Sequence, residues 1–260
     1  MHLDSLRCAH STGRNDPSSE RAWRTRRLDA QPLVTFSRRA APPPASVAAV
    51  IFDLDGTLLD TLADLANSMN AVLCASGYAT HPQADYCYFV GEGMETLVRR
   101  TLPPSARGDE HVAQRLADMR AEYGRRWSEK SQPYEGIPEM LDGLTERGVP
   151  LAVLSNKPDD FTRLVAQTLL PAWTFVECRG MREDTPAKPD PAGAIAIARA
   201  LNVEVARVLY VGDTATDMKT GRSAGMFTVG VTWGFRQRDE LVANGAQRII
   251  DAPAQLLELI

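Results

Sequence analysis

The chain has 260 residues, 44% of them hydrophobic and 24% charged, with 29 Lys and Arg against 33 Asp and Glu and a formal net charge of −4. That is enough apolar material for one large α/β domain or two modest ones without disulfides or a structural metal, and it excludes a collagen, a disordered chain and a disulfide scaffold. No lysine cluster marks nucleic acid or anionic lipid as a partner, so small-molecule chemistry is the expectation.

In chain order, the first material differs from the rest. Residues 1–47 hold eight Arg against four Asp and Glu, which leaves −8 on the remainder (−4 minus +4). The segment is rich in Ser, Arg and Pro, lacks hydrophobic periodicity and ends in Pro42-Pro43-Pro44, so residues 1–46 are predicted to be a disordered or loosely docked extension. It has no apolar signal core and carries Asp4, Asp16, Glu20 and Asp29, unlike an organellar transit peptide; a cytoplasmic protein is expected.

Val47 to Phe52 is a continuous apolar run, too short for a helix and ending at Asp53-Leu54-Asp55-Gly56-Thr57, which reads as a buried parallel strand stopping at a polar loop. Residues 62–133 then read as a helical insertion. Leu62, Leu65, Ala66, Met69, Val72 and Leu73 keep helical spacing, and further helices are predicted over Met94 to Arg100 and Val112 to Trp127. From Tyr134 the strand-helix alternation resumes. Strands are predicted over Val149 to Leu154, Val208 to Val211, Met226 to Val231 and Arg248 to Ile250, with helices over Gly136 to Arg147, Asp159 to Leu169 and Pro191 to Leu201. The predicted fold class is α/β, a doubly wound parallel sheet. Its core comprises residues 47–61 and 134–260, and a helical cap is inserted after the first strand. No apolar run approaches the roughly 18 residues that span a bilayer. Cys8, Cys74, Cys87 and Cys178 lack metal-site spacing and are read as reduced thiols.

In an open parallel sheet the ligand crevice lies beyond the carboxyl ends of the strands, and here those ends carry Asp53, Asp55, Ser155, Asn156 and Asp213. Asp217 follows within Gly212-Asp213-Thr214-Ala215-Thr216-Asp217, so four carboxylates are expected to converge. Their repulsion calls for a hard cation such as Mg2+. Ser155 and Asn156 at a strand-helix junction suit an anion, and Lys188 adds a positive charge. A nucleophilic carboxylate, metal carboxylates, a hydroxyl and a lysine are the requirements of phosphoryl transfer. His2, His10, His81 and His111 all fall outside the predicted core, against a Ser-His-Asp hydrolase.

These stretches, Phe52 to Leu58, Leu154 to Lys157, Lys188-Pro189 and Gly212 to Asp217, occur in an order and spacing that resembles the haloacid dehalogenase superfamily of phosphatases over residues 47–260. Asp60 to Leu65, Val90 to Gly93 and Val231 to Arg236 are most similar to its phosphoglycolate phosphatase group. The resemblance implies that Asp53 attacks phosphorus to form an aspartyl-phosphate. Asp55 would then protonate the leaving alcohol and activate water for the second step. It further implies Mg2+ held by the Asp53 side chain, the Asp55 backbone carbonyl and Asp213, with Asp217 orienting that set, and the phosphoryl oxygens bound by Ser155, Asn156 and Lys188. Asp55 argues against the dehalogenase branch, which keeps no acid there. The expected partner is a small phosphorylated molecule, with Arg99, Arg100 and Gly91 to Gly93 candidates for contacting it; the chain is expected to be a monomer or homodimer. A sugar-phosphate mutase shares the four motifs and stays open, as does a non-catalytic module that accepts phosphate on Asp53.

Overall fold

The computed structural model describes residues 43–44 and 46–260, so nearly all of the expected extension, with Cys8, His2 and His10, lies outside the described residues. Six strands, β1 (Ala49–Phe52), β4 (Leu151–Pro158), β5 (Phe175–Met181), β6 (Val208–Gly212), β7 (Phe227–Val231) and β8 (Arg248–Ile250), form one sheet in the order β5-β4-β1-β6-β7-β8. Every pairing is parallel, with Phe52 opposite Val153 on one side and Val211 on the other. After β5 the chain crosses over to lay β6 on the far side of β1, and this reversal opens a crevice at the carboxyl ends of β4, β1 and β6.

The period of two along each strand assigns the two faces. Val50, Phe52, Val153, Leu209 and Val211 pack with Ile137, Leu141 and Leu144 of α5 (Ile137–Glu146). Ala49, Ile51, Ala152, Leu154, Val208 and Tyr210 pack with Ala194, Ile197 and Ala198 of α7 (Ala192–Ala200). Burial on both faces explains why β1 and β6 are continuous apolar runs in the sequence. The helices α6 (Asp159–Leu169), α8 (Ala215–Ser223) and α9 (Arg238–Ala243) complete the layers.

Two findings differ from the sequence reading. β5 is an edge strand of mostly half-exposed residues, with no apolar run to announce it. β4 continues through Pro158, so Ser155 and Asn156 stand on the strand rather than after it.

Between β2 (Leu59–Asp60) and β3 (Gln132–Pro133), which pair antiparallel, lie α1 (Leu62–Ala75), α2 (Tyr86–Phe89), α3 (Met94–Thr101) and α4 (Asp109–Arg126). These helices have an apolar cluster of their own, including Leu65, Met69, Leu73, Tyr86, Val98, Leu102, Met119 and Tyr123, joined to the sheet domain through Phe161 and Phe235. Asp64 on α1 ties both ends of the insertion. Fully buried, it accepts hydrogen bonds from the backbone N–H groups of Lys130 and Ser131 and from Ser131 Oγ, at 2.7–3.1 Å. Among the described residues Cys87 and Cys178 are free thiols, as expected. No described helix is long and apolar enough to cross a membrane.

Candidate active site

Asp53 leaves β1 at its carboxyl end with its N–H on Val211 O (2.9 Å), and Asp213 follows β6. Carboxylate oxygens of Asp53, Asp213 and Asp217 come within 4.8 Å of one another, all three buried. Each aspartate is held differently. Asp213 accepts from Thr57 Oγ1 (3.0 Å) on Oδ1 and from Phe235 N (2.8 Å) on Oδ2. Asp217 forms a capping box at the start of α8: its Oδ2 accepts from the N–H (3.1 Å) and Oγ1 (2.6 Å) of Thr214. Lys188 Nζ stands between Asp217 Oδ1 (2.7 Å) and Asp53 Oδ1 (2.8 Å). Asp53 Oδ1 is nevertheless buried without a properly directed hydrogen bond.

Three buried carboxylates share one ammonium, and the electrostatics reflect that surplus. Burial first, then Asp217, push the Asp53 carboxyl up to about 7 against the pull of Lys188. Burial, Asp217 and Asp53 hold Asp213 well above the ordinary carboxylate range. Burial alone would lower Lys188, but Asp217 and Asp53 outweigh it and keep the ammonium charged. The donor set therefore fits a hard divalent cation: hard oxygen atoms converge, negative charge exceeds positive, and Asp53 Oδ1 has an open lone pair.

Glycines keep this space small. A Cβ on Gly56, which has φ +88°, would lie 2.4 Å from Asp213 Oδ2 and 2.9 Å from the Phe235 ring. Gly56→Ala combines a left-handed backbone with overpacking, so a loss of about 2–4 kcal/mol is expected in urea unfolding; a midpoint equal to wild type would contradict the geometry.

The fourth expected carboxylate turns away from the cluster. Asp55 accepts from Thr61 Oγ1 (2.7 Å) and, through both oxygens, from Lys157 Nζ (2.8 and 2.9 Å). Lys157, on β4, is held above its ordinary value because Asp55 outweighs the effect of burial. The Tyr123 ring lies 4.7 Å below its Nζ. Ser155 Oγ accepts from Lys157 N (3.2 Å), which leaves its hydroxyl hydrogen for another partner. Asn156 is committed to the fold: its Nδ2 donates to Lys188 O (2.9 Å) and Gly91 O (3.2 Å), and its Oδ1 accepts from Lys188 N (2.9 Å). The side chain thus sets where Lys188 sits and has no hydrogen left over.

The cleft over Asp53, Asp55, Ser155 and Lys157 is walled by Leu65, Val90, Gly91, Gly93, Met94 and Leu97 of the insertion. Arg99 and Arg100 are not in that wall; they pair with Glu95 and Asp109, and with Glu92. Arg236 joins insertion and core by donating to Val90 O (3.0 Å). The sequence reading gave no role to Lys157, Thr61 or Tyr123; the direct attachment of Lys157 to Ser155-Asn156 was the one available signal.

Acidic strand ends at the switch point of a doubly wound sheet, beneath an inserted helical layer, define an α/β protein whose ligand crevice is lined by carboxylates. Residues 50–231 match the family of haloacid dehalogenase-like hydrolases, and the chain belongs to that family. It is similar to the N-acetylmuramic acid 6-phosphate phosphatase of Pseudomonas aeruginosa, at 31% identity over 82% of this chain and 94% of that protein. Similarity to the phosphoglycolate phosphatase of Rhodospirillum rubrum is 33% over 80% of this chain and 88% of the other. The crystal structure of a predicted phosphoglycolate phosphatase from Haemophilus somnus superposes with a TM-score of 0.74 at 26% identity, covering 82% of this chain and 97% of that one. The chain is accordingly a hydrolase of the phosphatase kind.

Proposed function

We propose that the protein is a Mg2+-dependent phosphatase that hydrolyses a small phosphate monoester through an aspartyl-phosphate on Asp53. The observation that carries this reading is the buried Asp53-Asp213-Asp217 cluster with Lys188 as its only close ammonium among the described residues. Asp53 is the nucleophile; Asp55 gives its proton to the leaving oxygen and takes one from the attacking water. Lys188 and the Ser155 hydroxyl bind the phosphoryl oxygens, where charge builds as the bond breaks. Asp53, the Asp55 carbonyl and Asp213 would hold the metal, with Asp217 orienting them. When bound, Mg2+ offsets the charge of the carboxylates and of the phosphate. The inserted helices serve as a cap, residues 62–133, over a core of 47–61 and 134–260. The relatives' names support a small phosphorylated substrate, phosphoglycolate-like or a sugar phosphate; a cytoplasmic setting is part of the same proposal.

Phosphate release from phosphoglycolate, amino-sugar and hexose phosphates and p-nitrophenyl phosphate tests this reading, each with Mg2+ and with EDTA. Turnover that depends on Mg2+ is expected for at least one ester. No release from any of them would sink it.

A further inference from the structure

We propose that Lys157 is the positioning residue of the proton-transfer steps: it fixes the Asp55 carboxylate so that Oδ2 is the oxygen left to exchange protons, while Tyr123 of the inserted helices holds the ammonium in place. The proposal rests on the reading of Asp53 as nucleophile and concerns a residue outside the Asp53-Asp213-Asp217 cluster.

The lone pairs decide which oxygen works. Asp55 Oδ1 accepts from both Thr61 Oγ1 (2.7 Å) and Lys157 Nζ (2.8 Å), which fills it. Oδ2 accepts from Lys157 alone (2.9 Å) and keeps a free lone pair. Two anchors on one carboxylate fix its torsion, so the free lone pair has one direction. The Lys157 side chain is 2% exposed, and a desolvated ammonium cannot exchange its partners for water. Its remaining neighbour is the face of Tyr123, 4.7 Å away, which attracts a cation electrostatically. Tyr123 is fully buried on α4, and its ring meets the edge of Phe161 on α6 at 5.1 Å. The lysine is therefore gripped between the core, through Asp55, and the insertion, through Tyr123. The site divides its two lysines: Lys188 balances the cluster, and Lys157 aims the proton carrier.

The chemistry separates this role from a structural one. In the first step Asp53 attacks phosphorus, the ester P–O bond breaks, and the leaving oxygen takes the proton from Asp55 Oδ2. In the second, water attacks phosphorus and the P–O bond to Asp53 breaks. The electron pair returns to the Asp53 carboxylate, and the water's proton goes to Asp55 Oδ2, which restores the starting state. p-Nitrophenolate is a stable anion that leaves without a proton, so with p-nitrophenyl phosphate any proton on Asp55 Oδ2 passes to solvent instead, and Asp55 is needed only as the carboxylate that accepts the water's proton in the second step.

Rapid mixing of this substrate with the full chain and Mg2+ reads the two steps apart. Lys157→Met is expected to give a burst of about one p-nitrophenol per active site, at a rate within about three-fold of wild type, followed by turnover at least about 30-fold slower. Lys157→Arg, which keeps two donors toward the carboxylate, is expected to recover at least about ten-fold of that loss. Tyr123→Leu should show the same burst-then-slow pattern in weaker form, and it decides the matter if Lys157→Met does not fold. A burst that slows in step with turnover, or steady turnover within about three-fold of wild type in Lys157→Met, would overturn the proposal. A wild type that turns over no ester strikes at the phosphatase reading instead.

Discussion

Asp53→Asn is expected to slow phosphate release by about 10^3-fold or more and, without metal, to flatten the loss of stability expected of the wild type between pH 5 and pH 8. The first effect follows from removing the proposed nucleophile: an amide retains the shape and loses the attacking oxygen charge. The second follows from linkage. Burial, then Asp217, raise the Asp53 carboxyl in the folded state to about 7, whereas in the unfolded chain it titrates near 4. A raised acid contributes stability that is fully present below the unfolded value and is lost as pH climbs through the folded one. Metal-free wild type should therefore lose up to a few kcal/mol from pH 5 to pH 8, with Asp213 adding in the same direction. Asp159, Glu122 and Asp251 shift the other way, and their contributions fade only as pH falls below about 4, outside that window. Asparagine carries no charge to lose, so its melting temperature should change less over the same range. Mg2+ at pH 8 should raise the melting temperature of wild type more than that of Asp53→Asn. A metal-free wild type that gains stability from pH 5 to pH 8 would contradict this account of the cluster.

How much of this was legible beforehand differs between the sheet and the site. β1 and β6 are buried on both faces, so their apolar runs stand out in the sequence and their ends mark Asp53 and Asp213. β5 has no such run because its position at the sheet edge leaves Phe175, Cys178 and Arg179 half-exposed. The four aspartates and Lys188 were visible at or just after the strand ends, but the partners of Asp55 were not. Asp55 meets Lys157 across 102 positions of sequence, a contact created by β4 lying beside β1. Asp217 also illustrates a limit of motif reading. Its spacing from Asp213 suggests a charged site, while the same carboxylate closes the capping box of α8. Asn156 reads as a phosphate donor because it follows Ser155, yet its amide is consumed by the backbone of Lys188 and Gly91. Sequence spacing locates polar groups at a strand end; it does not say which lone pairs remain after the fold has used its share.

Lys188→Met should produce the largest combined effect, because one ammonium stands between two buried carboxylates. Its Nζ is 2.8 Å from Asp53 and 2.7 Å from Asp217, and a methionine of similar length fills the volume without the charge. Breaking a buried ion pair by removing one partner typically costs about 3–5 kcal/mol, since the other charge is left without compensation. The cost should be greatest near pH 8 and smaller near pH 5, where Asp53 takes up a proton and part of the repulsion disappears. Activity should fall by about 10^2–10^3-fold at any pH, the usual loss when one charged donor to a developing anion is removed. Mg2+ distinguishes the two tasks. It can offset surplus carboxylate charge and so should restore much of the melting temperature of Lys188→Met. It cannot replace the donor to the phosphoryl oxygens that Lys188 is proposed to be, and turnover should stay low. Lys188→Arg should be a poor substitute, because a planar guanidinium does not fit a pocket shaped for a compact ammonium. If Lys188→Met were as stable as wild type at pH 8 without metal, the lysine would not be what holds these carboxylates together. If Mg2+ restored turnover along with stability, the lysine's part in binding phosphate would be wrong, and its role would reduce to balancing charge.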